Sequence, residues 1–253
     1  MNMHKSPVFQ NPESEGGSFL WPGKQDQKTA IMLLHGFTAT TVEVRPMAKF
    51  LNDQGYTVAG PLLPGHGVSP EELIYTRYTD WISAVNNTYL ELESKYEHVF
   101  VLGESMGGLC TLWLAAQYPK IAGVLVFAPA LRIHNLWQTR LIWPFVHYKQ
   151  KTNIDLSSPW QGYNVVPLRA AAQLHKFQQL IKRRLPDIQQ PIIVFQGKLD
   201  KTIDPLSSVE VIQRISSEEK ELVWLEDSSH CILLDKQMDI VKRLSIEFIQ
   251  KLV

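Results

Sequence analysis

HVFVLGESMGGLCTLWLAAQY, residues 98–118, decides the fold. After His98 its first half is apolar and β-branched or aromatic, the composition of a buried strand. From Met106 onward it is rich in leucine and alanine and stops at Tyr118-Pro119, as a helix does. Between the two stands Gly103-Glu104-Ser105-Met106-Gly107, with no residues to spare for a loop. A strand that becomes a helix within one residue lifts that residue's side chain onto the crest of a tight turn. Glycines on either side remove the side chains that would collide there. The pattern G-x-S-x-G at such a junction is a nucleophile elbow, and the helix that follows offers free N–H groups and a partial positive charge to an anion forming beside Ser105.

The same alternation continues on both sides. Apolar runs stand at Ala30–Leu34, Tyr56–Gly60, His98–Gly103, Ala122–Ala128, Pro191–Gly197 and Glu221–Leu225, and helical windows at Val44–Gln54, Tyr78–Lys95, Met106–Tyr118, Ser207–Ile215 and Asp235–Val253. Strands separated by helices predict an α/β fold with a mostly parallel sheet flanked by helices. The runs are too apolar to carry a wet face, as in strands covered on both sides. Two apolar patches in the first 29 residues, Val8–Phe9 and Phe19–Trp21, suggest an antiparallel hairpin at the sheet edge. Residues 131–186 break the rhythm, since an interval of that length between strands must fold on itself. It holds Trp137, Trp143, Phe145, Trp160 and Tyr163. We expect a small helical cap at 131–186 over a core formed by 1–130 and 187–253. Trp137, Trp143 and Phe145 are its candidate substrate contacts.

Charge and composition narrow the function classes. Twenty-five basic residues balance 25 acidic ones, so the chain lacks the basic footprint of a nucleic-acid binder. No uninterrupted run reaches 18 apolar residues, and Met1–Asn11 lacks the apolar core of a signal peptide. No stable membrane insertion is expected. Cys110 and Cys231 lack CxxC spacing and read as free thiols in a reducing, cytoplasmic setting. The oligomeric state is not legible.

A serine hydroxyl needs a base within hydrogen-bond reach, and the base needs a carboxylate to fix its tautomer and stabilise its charged form. After an elbow serine, the order along the chain is acid and then histidine, each on a loop following a strand. Asp200 follows PIIVFQG, and His230 follows ELVWL. Asp204 and Asp227 are the rival acids. Among the other histidines, His98 opens a strand, His4 lies in the tail, His134, His147 and His175 fall in the interval, and His35 and His66 sit in glycine-flanked turns. Acyl transfer also requires two N–H groups for the developing oxyanion. Met106, directly after the serine, gives one, and Phe37 in His35-Gly36-Phe37 gives the other. Glu104 is left open between touching substrate and packing, and Cys231 is expected to point away from the site.

Taken together, LLHGFTAT (33–40), PLLPGHG (61–67), GESMGG (103–108), GKLDKTIDP (197–205) and SSHC (228–231) resemble the α/β-hydrolase superfamily and, within it, bacterial carboxylesterases and monoacylglycerol lipases. The resemblance runs from about residue 30 to the C-terminus. It implies a Ser105, Asp200, His230 triad, an oxyanion hole from Phe37 and Met106, a helical cap, no cofactor and no metal. The implied substrate is a small-molecule ester of short to medium acyl chain, monoacylglycerols among them. Serine at the elbow argues against the dehalogenase and epoxide hydrolase branches, which carry aspartate there. Thioesterase, amidase and carbon–carbon hydrolase chemistry use the same triad. A catalytically silent binding protein would be expected to show a broken one.

Overall fold

Each of the six apolar runs forms a strand at the expected place. In the computed structural model, which describes residues 9–152 and 157–253, the elements along the chain are β1 (Phe9–Gln10), β2 (Phe19–Trp21), β3 (Thr29–Leu34), α1 (Arg45–Asp53), β4 (Thr57–Gly60), α2 (Pro70–Tyr75), α3 (Tyr78–Glu93), β5 (His98–Glu104), α4 (Met106–Gln117) and β6 (Gly123–Phe127). There follow α5 (Thr139–Ile142), β7 (Tyr148–Gln150), β8 (Gly162–Tyr163), β9 (Val165–Pro167), α6 (Leu168–Arg184), β10 (Ile192–Gly197), α7 (Leu206–Arg214), β11 (Lys220–Leu225) and α8 (Met238–Lys251). His4, Val8 and residues 153–156 lie outside the described residues.

The central sheet has seven strands in the order β11-β10-β6-β5-β3-β4-β2. Every neighbouring pair is parallel except β2 on β4. β3 and β6 are buried along their whole length, and β5 in all but His98. α4 lies against β5 and β6 and meets α3 and α6, while α1 meets α8, so helices flank the sheet. The all-apolar character of α4 follows from this position, because a helix that is apolar all round is one that is enclosed.

Two expectations fail at the edges. Among the described residues of the first 29, β1 and β2 do not pair with each other as a hairpin. Phe19 of β2 pairs with Gly60 at the free edge of β4, where the missing side chain leaves room for the Phe19 ring. Phe9 of β1 pairs instead with Tyr163 of β8, its ring 5.5 Å from the tyrosine's. The absence of a wet face also fails for β11, the outermost strand, whose Lys220, Glu221 and Trp224 are exposed because nothing pairs beyond it.

The interval 131–186 divides in two. In its first part, α5 and the turn before it (residues 136–142) have no buried residue. Its second part is α6, which buries Leu174, Phe177 and Ile181 against α3 and α4. Between them the chain is stitched to the loop after β3. Tyr163 N–H donates to Thr38 O at 2.8 Å, Thr40 N–H donates to Gln161 O at 3.1 Å, and Ala39 bridges Gly162.

Candidate active site

Ser105 occupies the turn between β5 and α4 with φ +57° and ψ −114°. For a residue with a side chain this conformation costs of order 1–3 kcal/mol and persists only where its surroundings impose it. Here Ser105 N–H donates to Phe127 O at 2.9 Å, and Ala130 N–H donates to Ser105 O at 3.0 Å. The flanking glycines are required sterically. A Cβ on Gly107 would stand 2.0 Å from Leu34 O, and one on Gly103 would stand 2.3 Å from Gly107 O.

His230, on the loop after β11, joins the serine to the acid. Its Nε2 is 3.0 Å from Ser105 Oγ and its Nδ1 is 2.8 Å from Asp200 Oδ2. An ionised carboxylate can only accept, so Nδ1 carries the proton and Nε2 is left to receive the serine's. Asp200 is buried, which raises its pKa. The His230 bond and charge and the N–H groups of Ile203 and Thr202 outweigh burial and hold it below the ordinary aspartate value. Those two amides reach Oδ1 at 3.1 and 2.8 Å. Gln196 Nε2 donates to Oδ2 at 3.2 Å, and the glutamine's own oxygen accepts Ser208 Oγ–H at 2.7 Å. The acid is therefore fixed on every side.

The rivals have other work. Asp204 holds Arg132 at 3.1 Å and accepts Leu206 N–H. Asp227 is exposed. His35 is fully buried, which pushes its pKa down to about 4. As a neutral ring it accepts Leu63 N–H at 3.0 Å and donates from Nδ1 to Gly36 O at 2.9 Å, shaping the turn. Burial, and then the neighbouring His35, likewise holds His66 well below the usual histidine value.

That turn carries Phe37 past the serine. A Cβ on Gly36 would lie 3.2 Å from Ser105 Cβ, so the turn and the elbow are in contact. Among the described residues neither Phe37 N–H nor Met106 N–H meets a protein acceptor. Both amides are thus free to donate to a partner from outside the protein.

The aromatic residues of the interval are placed differently. Trp137 is 53% exposed and Phe145 is 85% exposed. Trp143 lines a surface cavity of about 400 Å³ with Arg77, Tyr78, Arg169 and Lys176, a lining that does not include Ser105.

Four side chains near the site have no assignment from sequence, or an open one. Glu43 is almost fully buried, and its carboxylate accepts Gly36 N–H at 2.5 Å and Trp160 Nε1–H at 3.2 Å. Glu104 is fully buried and accepts Leu233 N–H at 3.2 Å, so its side chain packs behind the elbow. Lys151 Nζ donates to Thr38 Oγ at 2.7 Å and lies 4.3 Å from the Trp160 ring centre. Cys231 does not point clear of the site, since its thiol faces Glu43 at 3.9 Å. Glu43 sits at the mouth of a helix, where an acid ordinarily reads as a solvated cap, so nothing in the sequence marks it.

Residues 25–237 match the serine aminopeptidase, S33 family. Carboxylesterase from Bacillus subtilis (strain 168) is 31% identical over 229 residues, covering 88% of this chain and 93% of its own. Thermostable monoacylglycerol lipase from Bacillus sp. (strain H-257) is 33% identical, covering 87% and 90%. A solved structure from LipS and LipT, two metagenome-derived lipolytic enzymes, superposes with a TM-score of 0.88 at 28% identity, over 93% of this chain and 98% of that one. Among the described residues no helix is long and apolar enough to cross a membrane. The chain belongs to the serine aminopeptidase, S33 family, has the α/β-hydrolase fold, and is a carboxylic ester hydrolase.

Proposed function

We propose that Ser105 is the nucleophile of this hydrolase, His230 its general base and Asp200 the acid that orients the histidine, with the Phe37 and Met106 amides as oxyanion hole. The observation that carries this reading is the unbroken line from Ser105 Oγ to His230 Nε2 at 3.0 Å and from His230 Nδ1 to Asp200 Oδ2 at 2.8 Å. Ser105 Oγ attacks the ester carbonyl as Nε2 takes its proton. Asp200 supports the imidazolium, and the two amides receive the charge on the carbonyl oxygen. The alcohol leaves with the proton from His230. Water, activated by the same base, then releases the acid from Ser105.

The substrates are carboxylic esters of short to medium acyl chain, monoacylglycerols among them. The names of the two Bacillus relatives support this class. Residues 131–186 act as a cap over the core, and Trp137, Trp143 and Phe145 offer apolar surface to the acyl chain. No cofactor or metal enters the reaction, no nucleic acid is a partner, and the free thiols Cys110 and Cys231 support a cytoplasmic location.

The test is hydrolysis of p-nitrophenyl esters from acetate to palmitate, with thioester and amide substrates of matched acyl length. Wild type, Ser105→Ala and His230→Ala are compared. Activity should peak at a short or medium ester and fall by about 10⁴-fold or more in both variants. A fluorophosphonate should label wild type and not Ser105→Ala. Retained activity in Ser105→Ala overturns the assignment, and a panel led by amides or thioesters overturns the substrate class.

A further inference from the structure

Four elements that carry the site converge on two carboxyl groups outside the triad. Glu43 follows the oxyanion turn, Glu104 ends the nucleophile strand β5, Cys231 follows His230, and Trp160 and Lys151 come from the interval. The groups that meet Glu43 are donors. Gly36 N–H reaches Oε2 at 2.5 Å, Trp160 Nε1–H reaches Oε1 at 3.2 Å, and the Cys231 thiol stands 3.9 Å from Oε1. In its electrostatic reach are Lys151 and His230, the latter carrying charge once it takes the serine proton. Glu104 receives Leu233 N–H on Oε1, while its buried Oε2 has no hydrogen-bond partner. Its electrostatic neighbours are Glu43 and Asp200, both acids.

Two neighbouring carboxyls in a site closed to water do not both ionise. The proton belongs where donors are few, on Glu104, and the charge where donors and cations gather, on Glu43. Burial raises both acids. On Glu104 it is opposed by the Leu233 and Ile232 N–H groups alone, and the negative charge of Glu43 raises that acid further. On Glu43 it is opposed by Gly36 N–H, His230, Trp160 and Lys151, so Glu43 is raised less than Glu104. Burial also pushes the Lys151 ammonium down to about 8, against the pull of Glu43. The Cys231 thiol is held protonated first by burial and then by the charge of Glu43.

We propose that Glu43 is a positioning residue for ester hydrolysis: as the ionised member of a carboxyl pair with Glu104, it fixes the Gly36-Phe37 turn against Ser105 and gives His230 a second countercharge beside Asp200. A neutral amide at position 43 cannot accept both the Gly36 and Trp160 donors, and it brings no charge to bear on the imidazolium. Thr38 extends the same support, since its hydroxyl donates to Phe37 O at 2.6 Å while it accepts Lys151 at 2.7 Å.

The inference rests on the triad proposed above and is tested in the whole chain with p-nitrophenyl butyrate over pH 5–9. Glu43→Gln should lower kcat roughly 10- to 100-fold, with KM changed less than about threefold. Its acid limb of kcat/KM should move to lower pH by about half a unit or more, because an anion near the base has gone. Glu104→Gln replaces a neutral group by a neutral one and should leave that limb in place, whatever its kcat. Glu43→Asp keeps the charge and should keep the limb. If Glu43→Gln does not fold, Lys151→Met serves instead. Removing the cation that partly neutralises Glu43 should strengthen the anion's effect on the base and move the limb to higher pH, and an unmoved limb there counts against the charged network. An unmoved limb in a folded Glu43→Gln, or an equal move in Glu104→Gln, overturns the proposal. Fluorophosphonate labelling of each variant keeps a failure of the triad distinguishable from a failure of the pair.

Discussion

The floor of the site and the outer part of the interval are built on opposite terms. On the floor, Ser105, His230, Asp200 and the Gly36-Phe37 turn are each held by two or more bonds to neighbouring elements, and all but His230 and Phe37 are buried. In the interval, residues 136–146 expose Trp137, Leu141, Ile142, Phe145 and Val146. They rest against α6, and only Leu136 among them packs on the core. The contrast matches the two demands of the reaction. Geometry around developing charge must be set before substrate arrives. An acyl chain, in contrast, is recognised by apolar area, which is not directional.

The sharpest way to break this contrast is to disturb the floor where it has no slack. In Gly107→Ala the new methyl would stand 2.0 Å from a backbone oxygen of β3, so strand and helix must separate. A loss of about 3 kcal/mol or more is expected, read as poor soluble yield and a Tm lowered by many degrees. A Tm within two or three degrees of wild type would mean that the elbow is looser than its contacts indicate.

Asp200→Asn tests chemistry without volume. The side chain keeps its size and its acceptor for the Thr202 and Ile203 amides, but loses the charge opposite His230. We expect kcat to fall about 10³- to 10⁴-fold with Tm little changed. A fall of less than tenfold would show that another group orients the histidine.

Acid should loosen the floor before the exposed interval. His35 is neutral in the fold, its pKa lowered from 6.5 to about 4, so the folded state binds its proton less readily than the unfolded chain. Its contribution to stability is complete above pH 6.5 and is lost as pH falls from there toward 4, a difference worth roughly 3 kcal/mol at most. Asp200, held below 3.8, adds a further loss beneath that value. Thermal unfolding between pH 7 and 4 should show the first decline, and His35→Asn should flatten it. An unchanged slope in His35→Asn would assign the decline to other groups.

How much of this was legible in the sequence follows the same division. The strands, the helices and the line from Ser105 to Asp200 could be read because each depends on local signals: an apolar run, a glycine pair, a residue just past a strand end. The pairing of Phe19 with β4 and of Phe9 with Tyr163 could not, because short edge strands take whichever free edge the finished fold presents. Glu43 escaped for a related reason. Its role comes from Gly36, Trp160, Cys231 and Glu104, and four partners from four elements leave no pattern around position 43. Glu104 was visible at the elbow, but which way its side chain turns depends on Leu233, far along the chain.

The smallest effect is expected at the most exposed aromatic. Phe145 is 85% exposed, so Phe145→Ser removes almost no buried area and should change stability by no more than about 0.5 kcal/mol. If the interval supplies apolar surface to the acyl chain, the same substitution should raise KM for the octanoyl ester several-fold and leave the acetyl ester unchanged. A full apolar contact of that size is worth about 1.5–3 kcal/mol, of which a surface residue realises only part. Equal KM values for both esters would remove Phe145 from the acyl path. The route would then have to be sought along the buried seam at Trp160 and Tyr163, where the interval already touches the oxyanion turn.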